Sequence, residues 1–256
     1  MQWAITEVDD VAVMQMLSNK VNKQNDEFFS DLQAAFDRVE AELPGRPVVL
    51  HGQGTVFSAG LDFEYTFPIF ARQDEAEISA WFQRFSAAIL RVFTYPYPTV
   101  AAVNGHAMAG GLILAMACDH RVAAAGPGRC GLNEVPVGIP MPSLYTELVR
   151  ARVGSAVTSE AILTGKLYSC EEAHRAGFYQ EVVSAEELLD RACAHARLIP
   201  AACRAAYVHS KKMVLRPTMD WIEQRSRELD RVTVKEISSP AAQAAQAQAL
   251  ARLKAR

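Results

Sequence analysis

Two loops of small residues follow short apolar segments that have the character of buried strands. The first loop, FSAGLD (residues 57–62), comes after the apolar segment 47–50. The second loop, NGHAMAGG (residues 104–111), comes after segment 99–103 and leads into an apolar helix predicted over 112–118. Residues without bulk let a carbonyl group approach the main chain, and the N–H groups of a helix start carry partial positive charge. The two loops are therefore predicted to form an oxyanion hole, which stabilises an enolate or a tetrahedral anion.

A carboxylate follows the two loops at Glu134, within the segment GLNE (residues 131–134). Surface glutamates are common, but Gly131 and Pro136 indicate a shaped loop around this one. Its neighbour Asn133 would orient the glutamate, line a substrate pocket or cap the local turn. A base beside an oxyanion hole predicts an enzyme that acts on an activated carbonyl compound.

Composition sets the broad class of the chain. The 256 residues are 50% hydrophobic and 21% charged, which is typical of a globular protein of one or two domains. The net charge of −3 provides no overall positive field for nucleic acid or for an anionic membrane surface. No apolar run reaches the length of a membrane span, and residues 1–10 lack the pattern of a signal peptide. We therefore expect a cytoplasmic protein without nucleic-acid or membrane partners.

Cysteine usage and ligand spacing argue against disulfides and metal. The chain has 5 cysteines, an odd number, and no Cys-x-x-Cys motif. Free thiols in a reducing compartment are therefore expected. Short-range spacing typical of metal ligands is also missing, so no metal site is predicted.

Hydrophobic periodicity predicts alternating strands and helices followed by a helical tail. Strands are predicted over 3–7, 11–16, 47–50 and 99–103, and helices over 28–43, 78–93, 112–118, 188–205 and 219–253. Repeated strand–loop–helix units predict an α/β core over residues 1–195. Residues 196–256 are predicted to be a helical C-terminal segment that packs on the core or on a neighbouring subunit.

Several motifs together resemble the crotonase (enoyl-CoA hydratase/isomerase) superfamily. They are VFSAGLD (56–62), AAVNG (101–105) with Gly110-Gly111, CDHR (118–121), and LTG (163–165) followed by Glu172-Ala173 and Ala176-Gly177. The resemblance covers about residues 1–200. It implies a spiral core of strand–strand–helix units, a helical C-terminal segment, homotrimers or dimers of trimers, and acyl-CoA thioester substrates. It also implies that CoA enters as part of the substrate and that no separate cofactor is needed.

The resemblance carries functional roles onto individual residues. The oxyanion donors would be the main-chain N–H groups of Ala59 and Gly110, and the base would be Glu134. The expected substrate-binding residues are Ser58, Gly60, Leu61, Asp62, Ile113 and Asn133. Asp62 has the alternative role of capping the next helix. His106 is predicted to be a packed or solvated histidine, and Glu64 is left open as a supplementary polar group.

The number of carboxylates separates the reactions of this superfamily. Hydratases of the family use two glutamates around a water, and the earlier one falls on Ile113 of this chain. Isoleucine cannot activate water, whereas one glutamate suffices to move a proton along a bound enoyl chain. The residues therefore favour a 3-enoyl to 2-enoyl-CoA isomerase. Alternatives are an enoyl-CoA hydratase, a thioester hydrolase, a decarboxylase or other enolate chemistry, and a scaffold or RNA-binding member without catalysis.

Overall fold

The fold begins with an antiparallel hairpin, as predicted. The computed structural model describes residues 2–255. Strand β1 (Trp3–Val8) pairs with β2 (Val11–Met16) in register from Trp3 opposite Met16 to Val8 opposite Val11. Asp9 and Asp10 form the turn with φ values of 45° and 71°. Positive φ at both turn residues gives the backbone twist that matches a two-residue hairpin.

Strands and helices then alternate through the core. The remaining strands are β3 (Lys23–Gln24), β4 (Val48–His51), β5 (Val56–Ser58), β6 (Gly60–Leu61), β7 (Thr99–Val103), β8 (His106–Met108), β9 (His120–Ala124), β10 (Arg129–Gly131), β11 (Leu167–Ser169) and β12 (Glu181–Val183). The helices are α1 (Asp26–Glu42), α2 (Phe63–Ala71), α3 (Glu75–Phe93), α4 (Gly110–Ala117), α5 (Ser143–Thr164), α6 (Cys170–Ala176), α7 (Leu188–Ala196), α8 (Arg204–Ile237) and α9 (Pro240–Lys254). Short 3-10 turns occur at Val135–Val137 and Ala201–Cys203.

Two sheets carry the loops of interest. The main sheet has the order β1-β2-β4-β7-β9-β12, and it is parallel from β2 to β12. A second sheet has the order β11-β10-β8-β5, and β3 pairs with β6 in a short parallel ladder. Parallel neighbours direct their carboxyl ends to the same edge, so the loops after β4 and β7 lie side by side. The predicted α/β class is confirmed.

Helices cover both faces of the main sheet. One face packs against α1 and α3 through an aromatic cluster in which Phe29 stacks on Phe85 with ring centroids 4.6 Å apart. The other face packs against α7, where Leu188 and Cys193 contact the valines of β4, β7 and β9. A sheet buried on both faces explains the continuous apolar runs of its strands.

The C-terminal segment is helical, as predicted, but its helix boundaries differ from the prediction. The helix predicted over 188–205 ends at Ala196, and the chain resumes as α8 at Arg204. Pro200 lies in this break, and proline lacks the N–H that a helix interior needs. Leu215 and Ile237 of α8 belong to the same apolar core as α1 and α3. A division of the chain at residue 195 therefore stays a prediction.

A polar cluster attaches α8 to the main sheet. Lys211 Nζ lies 2.6 Å from an Asp119 carboxylate oxygen, which also accepts hydrogen bonds from the Tyr207 hydroxyl over 2.9 Å and from Thr99. Lys211 is buried, so its charge depends on this carboxylate. The cluster fixes α8 beside the loop that precedes β9.

The cysteines are free, as expected. Cys118, Cys130, Cys170 and Cys193 are buried, and Cys203 is exposed. Within residues 2–255, no helix combines the length and the apolar character that crossing a membrane requires. The cytoplasmic location expected from the sequence stays a prediction.

Candidate active site

Helix α4 begins directly at the second small-residue loop. Gly110 is its first residue, and Ala109 before it has φ 49° and ψ −121°, a rare conformation for a residue with a side chain. The Ala109 N–H donates to the Gly131 carbonyl over 2.8 Å, which holds the loop in this shape. The first N–H groups of a helix have no acceptor within the helix. The start of α4 therefore presents the N–H of Gly110 to the loop side.

The first loop packs against this helix start. A Cβ on Gly60 would lie 3.1 Å from the Gly110 nitrogen and 2.6 Å from the Met108 carbonyl oxygen. Gly60 also has φ 80°, which favours glycine. Glycine at position 60 thus allows the two loops to touch. The structure brings together the segments that the sequence singled out.

The expectation that Ala59 supplies an oxyanion donor is wrong. Its N–H donates to the Val21 carbonyl over 2.9 Å, so this donor is already used inside the protein. The bond arises because the segment before β3 runs beside the first loop. Nothing in the spacing of the loop residues indicates this neighbour.

Leu61 is the residue of the first loop whose N–H is turned away from β3. Leu61 lies opposite Gln24 in the parallel ladder of β3 and β6, and the Asp62 N–H donates to the Gln24 carbonyl over 2.9 Å. Peptide groups alternate in direction along a strand, so the N–H of Leu61 points to the other side of β6. Sequence reasoning placed Leu61 along the substrate but missed its N–H, because a two-residue strand has no readable periodicity.

Ser58 and Asp62 shape the first loop. The buried Ser58 hydroxyl donates to the Asn22 carbonyl over 2.7 Å and accepts from the Gly60 N–H over 3.2 Å. Asp62 is the N-cap of α2 and accepts from the Glu64 N–H over 3.2 Å, as its alternative role predicted. Both side chains thus hold the loop, and their expected contacts with substrate stay predictions.

Glu134 is a buried carboxylate. Its side chain is 7% exposed, and Oε2 is buried without a hydrogen-bond partner among residues 2–255. Its carbonyl accepts from the N–H groups of Val137 and Ile139, which fixes the 3-10 turn that follows. Burial raises the pKa of Glu134 to about 8. A carboxyl group with a pKa near neutrality can both accept and return a proton.

Tyr145 is a neighbour of Glu134 that sequence reasoning missed. Burial raises the pKa of Tyr145 well above its ordinary value, and the charge of Glu134 contributes to that rise. The Tyr145 hydroxyl lies 3.2 Å from the Ser86 hydroxyl, and its ring packs on Phe85. Phe85 also lies 3.3 Å from the position of a Cβ on Gly110. This aromatic pair therefore lies beside the start of α4.

Ile113 lies one turn into α4. It is 1% exposed, belongs to the apolar core, and donates its N–H to the Ala109 carbonyl over 3.0 Å. An apolar side chain stands here on the helix that begins at Gly110. The isoleucine side chain has no polar atom, so residue 113 cannot bind a water.

A cleft lies between α2, the 3-10 turn and α9, and the residue that precedes Glu134 in the sequence is part of its lining. Its volume is about 320 Å³, and its lining includes Phe63, Asn133, Val137, Arg252 and Leu253. Asn133 has a buried Oδ1 without a partner in the described chain. The lining therefore combines apolar side chains with a polar amide and a cation, as a site for an amphipathic ligand requires.

His106 and Glu64 lie outside this arrangement of groups. His106 Nδ1 accepts from the Arg129 N–H over 3.2 Å, so this histidine holds β8 against β10, in agreement with a packed role. Glu64 is exposed and lies near Lys23 and Lys254, at 3.6 and 3.8 Å. Its contacts are those of a surface carboxylate.

Sequence similarity to known proteins extends over most of this chain. The sequence profile of the family described as enoyl-CoA hydratase/isomerase matches residues 6–250. A Thermus thermophilus protein provisionally named enoyl-CoA hydratase is 34% identical over 198 residues, 76% of each chain. The mouse mitochondrial enoyl-CoA delta isomerase 1 is 30% identical over 230 residues, which are 87% of this chain and 77% of that protein.

The fold has a solved counterpart over its full length. The crystal structure of human mitochondrial delta3-delta2-enoyl-CoA isomerase superimposes with a TM-score of 0.88 at 27% identity, covering 99% of this chain and 98% of that one. The similarity includes the helical C-terminal segment, so the predicted crotonase-like fold is confirmed. The chain is an enzyme that belongs to the enoyl-CoA hydratase/isomerase family.

Proposed function

We propose that this enzyme is an enoyl-CoA isomerase that moves a double bond from position 3 to position 2 of an acyl-CoA thioester. The observation that carries the proposal is the buried Glu134 carboxylate combined with the apolar Ile113. One acid/base group serves a proton shift, whereas water addition in this family uses two. The relatives at about 30% identity include both isomerase and hydratase names, so the choice rests on these side chains.

Glu134 performs both proton transfers in this proposal. As the carboxylate, it removes a proton from C2 of the 3-enoyl chain, and the electron pair of that C–H bond spreads over C2–C4 and the thioester oxygen. The protonated Glu134 then delivers the same proton to C4, which leaves a double bond between C2 and C3. The reaction is balanced without oxidant, reductant or water, which agrees with the expectation that no separate cofactor is needed.

The intermediate enolate oxygen receives hydrogen bonds from the main chain. We assign one donor to the N–H of Gly110 at the start of α4, and the second to the N–H of Leu61 instead of Ala59. Each preorganised donor of this kind typically contributes about 3–4 kcal/mol to the transition state. The positive end of α4 adds to the stabilisation.

The cleft beside Asn133 is the proposed entry for the acyl-CoA. Phe63, Val137 and Leu253 supply apolar surface for the acyl chain and the pantetheine arm, and Arg252 supplies positive charge for phosphate groups. The dry surroundings of Glu134 favour return of the proton to carbon over its loss to solvent.

Assembly into trimers, or dimers of trimers, also stays a proposal. Helix α8 exposes the apolar side chains of Met213, Val214 and Val232. Exposed apolar residues along one long helix agree with burial against another subunit. Sedimentation equilibrium would measure the subunit number.

Incubation with 3-enoyl-CoA and with 2-enoyl-CoA of matched chain length tests the proposed reaction. We expect double-bond migration with the first substrate and negligible 3-hydroxyacyl-CoA with the second. Hydration as fast as migration would overturn the proposal in favour of an enoyl-CoA hydratase.

A further inference from the structure

Three side chains with metal-binding atoms meet on the main sheet, away from the small-residue loops. They are His120 at the start of β9, Glu181 at the start of β12, and His195 in α7, and their ligand atoms lie within 4.8 Å of one another. His120 pairs with Val100 near the start of β7, whereas the second loop follows the end of β7. The cluster is therefore separate from the candidate active site.

The geometry of the cluster leaves one nitrogen unsatisfied. The rings of His120 and His195 stack with centroids 3.9 Å apart and an interplanar angle of 26°. His195 Nε2 lies 2.7 Å from Glu181 Oε2. His120 Nε2 is buried and has no hydrogen-bond partner among residues 2–255. A buried nitrogen without a partner costs free energy, so a ligand at this point would stabilise the fold.

We propose that His120, Glu181 and His195 bind a zinc ion. Two imidazole nitrogens and one carboxylate oxygen are ligands that Zn²⁺ accepts, and three protein ligands leave a fourth position for water. The three residues are half-buried, so an ion can enter from solvent. For both imidazoles to bind one ion, the two rings must turn out of their stack, because a metal lies in the plane of each imidazole that binds it. The ion would then take the place of the hydrogen bond between His195 and Glu181, and it would also satisfy His120 Nε2.

Bound zinc would join three elements that are distant in sequence. It would connect α7 to β9 and β12, next to the apolar cluster that α7 forms with the sheet. The role is structural, since the ion lies away from Glu134 and the oxyanion loops. Sequence spacing predicted no metal site, because each ligand comes from a different element.

Arg191 provides a test with an expected result, tighter zinc binding, that damage to the fold would not produce. Its Nη1 lies 3.2 Å from Glu181 Oε1, and its side chain is 50% exposed. A cation at this distance opposes binding of a second cation. Arg191→Ala should therefore tighten zinc binding, while the loss of any ligand should weaken it.

The experiment is calorimetric titration of the untagged full chain with zinc chloride in the Cys203→Ser background. Cys203 is exposed, and its removal excludes a thiol site. We expect one zinc ion per chain and a rise in the melting temperature with zinc. His120→Phe and His195→Phe keep an aromatic ring in the stack and remove the ligand nitrogen. Each should weaken zinc binding at least about tenfold and abolish the melting shift.

His209→Phe is the matched control, because this histidine is exposed on α8. It should bind zinc as the parent does. Circular dichroism with a chelator present checks that each variant is folded. If His120→Phe does not fold, the opposite effects of His195→Phe and Arg191→Ala on zinc affinity still test the proposal. Absence of saturable binding in the parent, or binding unchanged in His195→Phe and Glu181→Gln, would overturn the proposal.

Discussion

The side-chain amide of Gln24 packs against Gly110. Its Nε2 donates to the Gly110 carbonyl over 3.2 Å, and its Oε1 occupies the space that a Cβ at residue 110 would need. Gln24 is buried and also lies in β3 opposite Leu61. Gln24 therefore links the first loop, through its main chain, to the start of α4, through its side chain. Glycine at position 110 is required by this contact as well as by the approach of a ligand.

Gly110→Pro should lower turnover by about 10²–10³-fold relative to Gly110→Ala. Both substitutions place a Cβ against Gln24, but only proline removes the N–H that we assign to the oxyanion. The ratio of the two isomerase rates thus measures the loss of the N–H donor separately from the steric overlap of the Cβ with Gln24. Circular dichroism establishes folding, and adding Gln24→Ala to both variants relieves the overlap if needed. Equal rates in the two variants would contradict the assignment of Gly110.

Glu134→Gln should reduce isomerase turnover at least about 100-fold while CoA-ester binding is largely kept. Glutamine has the same shape but cannot take up the proton from C2. Glu147→Gln is the matched control, since Glu147 is also buried but is paired with Arg150 over 2.7 Å. Steady-state rates and ligand titration measure the two effects. Turnover at the parental level in Glu134→Gln would eliminate the proposed mechanism.

The value of kcat/KM should rise with pH and level off above about pH 8. Only the carboxylate form of Glu134 removes a proton, and burial raises the pKa of Glu134 to about 8. Rates measured with subsaturating 3-enoyl-CoA across this range report the free enzyme. A single rise centred near the pKa of an exposed glutamate, about 4.3, would show that Glu134 is already ionised before substrate binds.

Glu134→Gln should also stabilise the protein in alkaline solution. The pKa of Glu134 is about 8 in the folded chain, above the value of about 4.3 for an exposed glutamate. Between these values the folded protein holds a proton that the unfolded chain has lost, so the free energy of unfolding falls as pH rises. Glutamine removes this dependence.

Urea unfolding of the parent and Glu134→Gln at about pH 5 and about pH 9 measures the effect. We expect similar free energies of unfolding at the lower pH and a more stable variant at the higher pH. A variant equally stabilised, or equally destabilised, at both values would show that burial of the charge is not the cause.

Sequence patterns located the elements of the site well but not its hydrogen bonds. The strand and helix around the second loop were predicted because apolar runs and their glycine boundaries are local features. The identity of the second oxyanion donor depends on how β3 pairs with β6, which is a contact between distant segments. Ala59 was therefore predicted to have a free N–H, although that N–H donates to the Val21 carbonyl. The burial that raises the pKa of Glu134 likewise depends on packing from elsewhere in the chain.

The remaining differences have one local cause and several tertiary causes. The prediction of a helix over 188–205 did not treat Pro200 as a helix terminator, although proline is a local signal. Tyr145 carried no motif and became a candidate only through its proximity to Glu134 and Ser86. His120 and His195 are 75 residues apart in the numbering, so the stack of their rings could not be predicted from spacing.

Ile113→Glu should introduce weak enoyl-CoA hydratase activity. Residues 110 and 113 are about one helical turn apart, so the new carboxylate would stand on the face of α4 that begins at Gly110. There it could hold a water against the β-carbon of a 2-enoyl chain, opposite Glu134. The position is buried among apolar side chains, which would raise the pKa of the new carboxyl and keep much of it protonated. The expected gain is therefore small but detectable, and some isomerase rate or stability is lost.

Chromatographic analysis of 3-hydroxyacyl-CoA formed from 2-enoyl-CoA measures this gain, with Ile113→Gln as the matched control. Glutamine brings a polar group of the same size but no base, so it should give no hydration above the parent. Ile113→Glu should also form more product as pH rises, because ionisation of the new carboxyl supplies the base. Hydration in the unmodified enzyme that rivals double-bond migration would show that Ile113 does not exclude water chemistry. Equal hydration by the two variants would show that the new carboxylate does not act as the base.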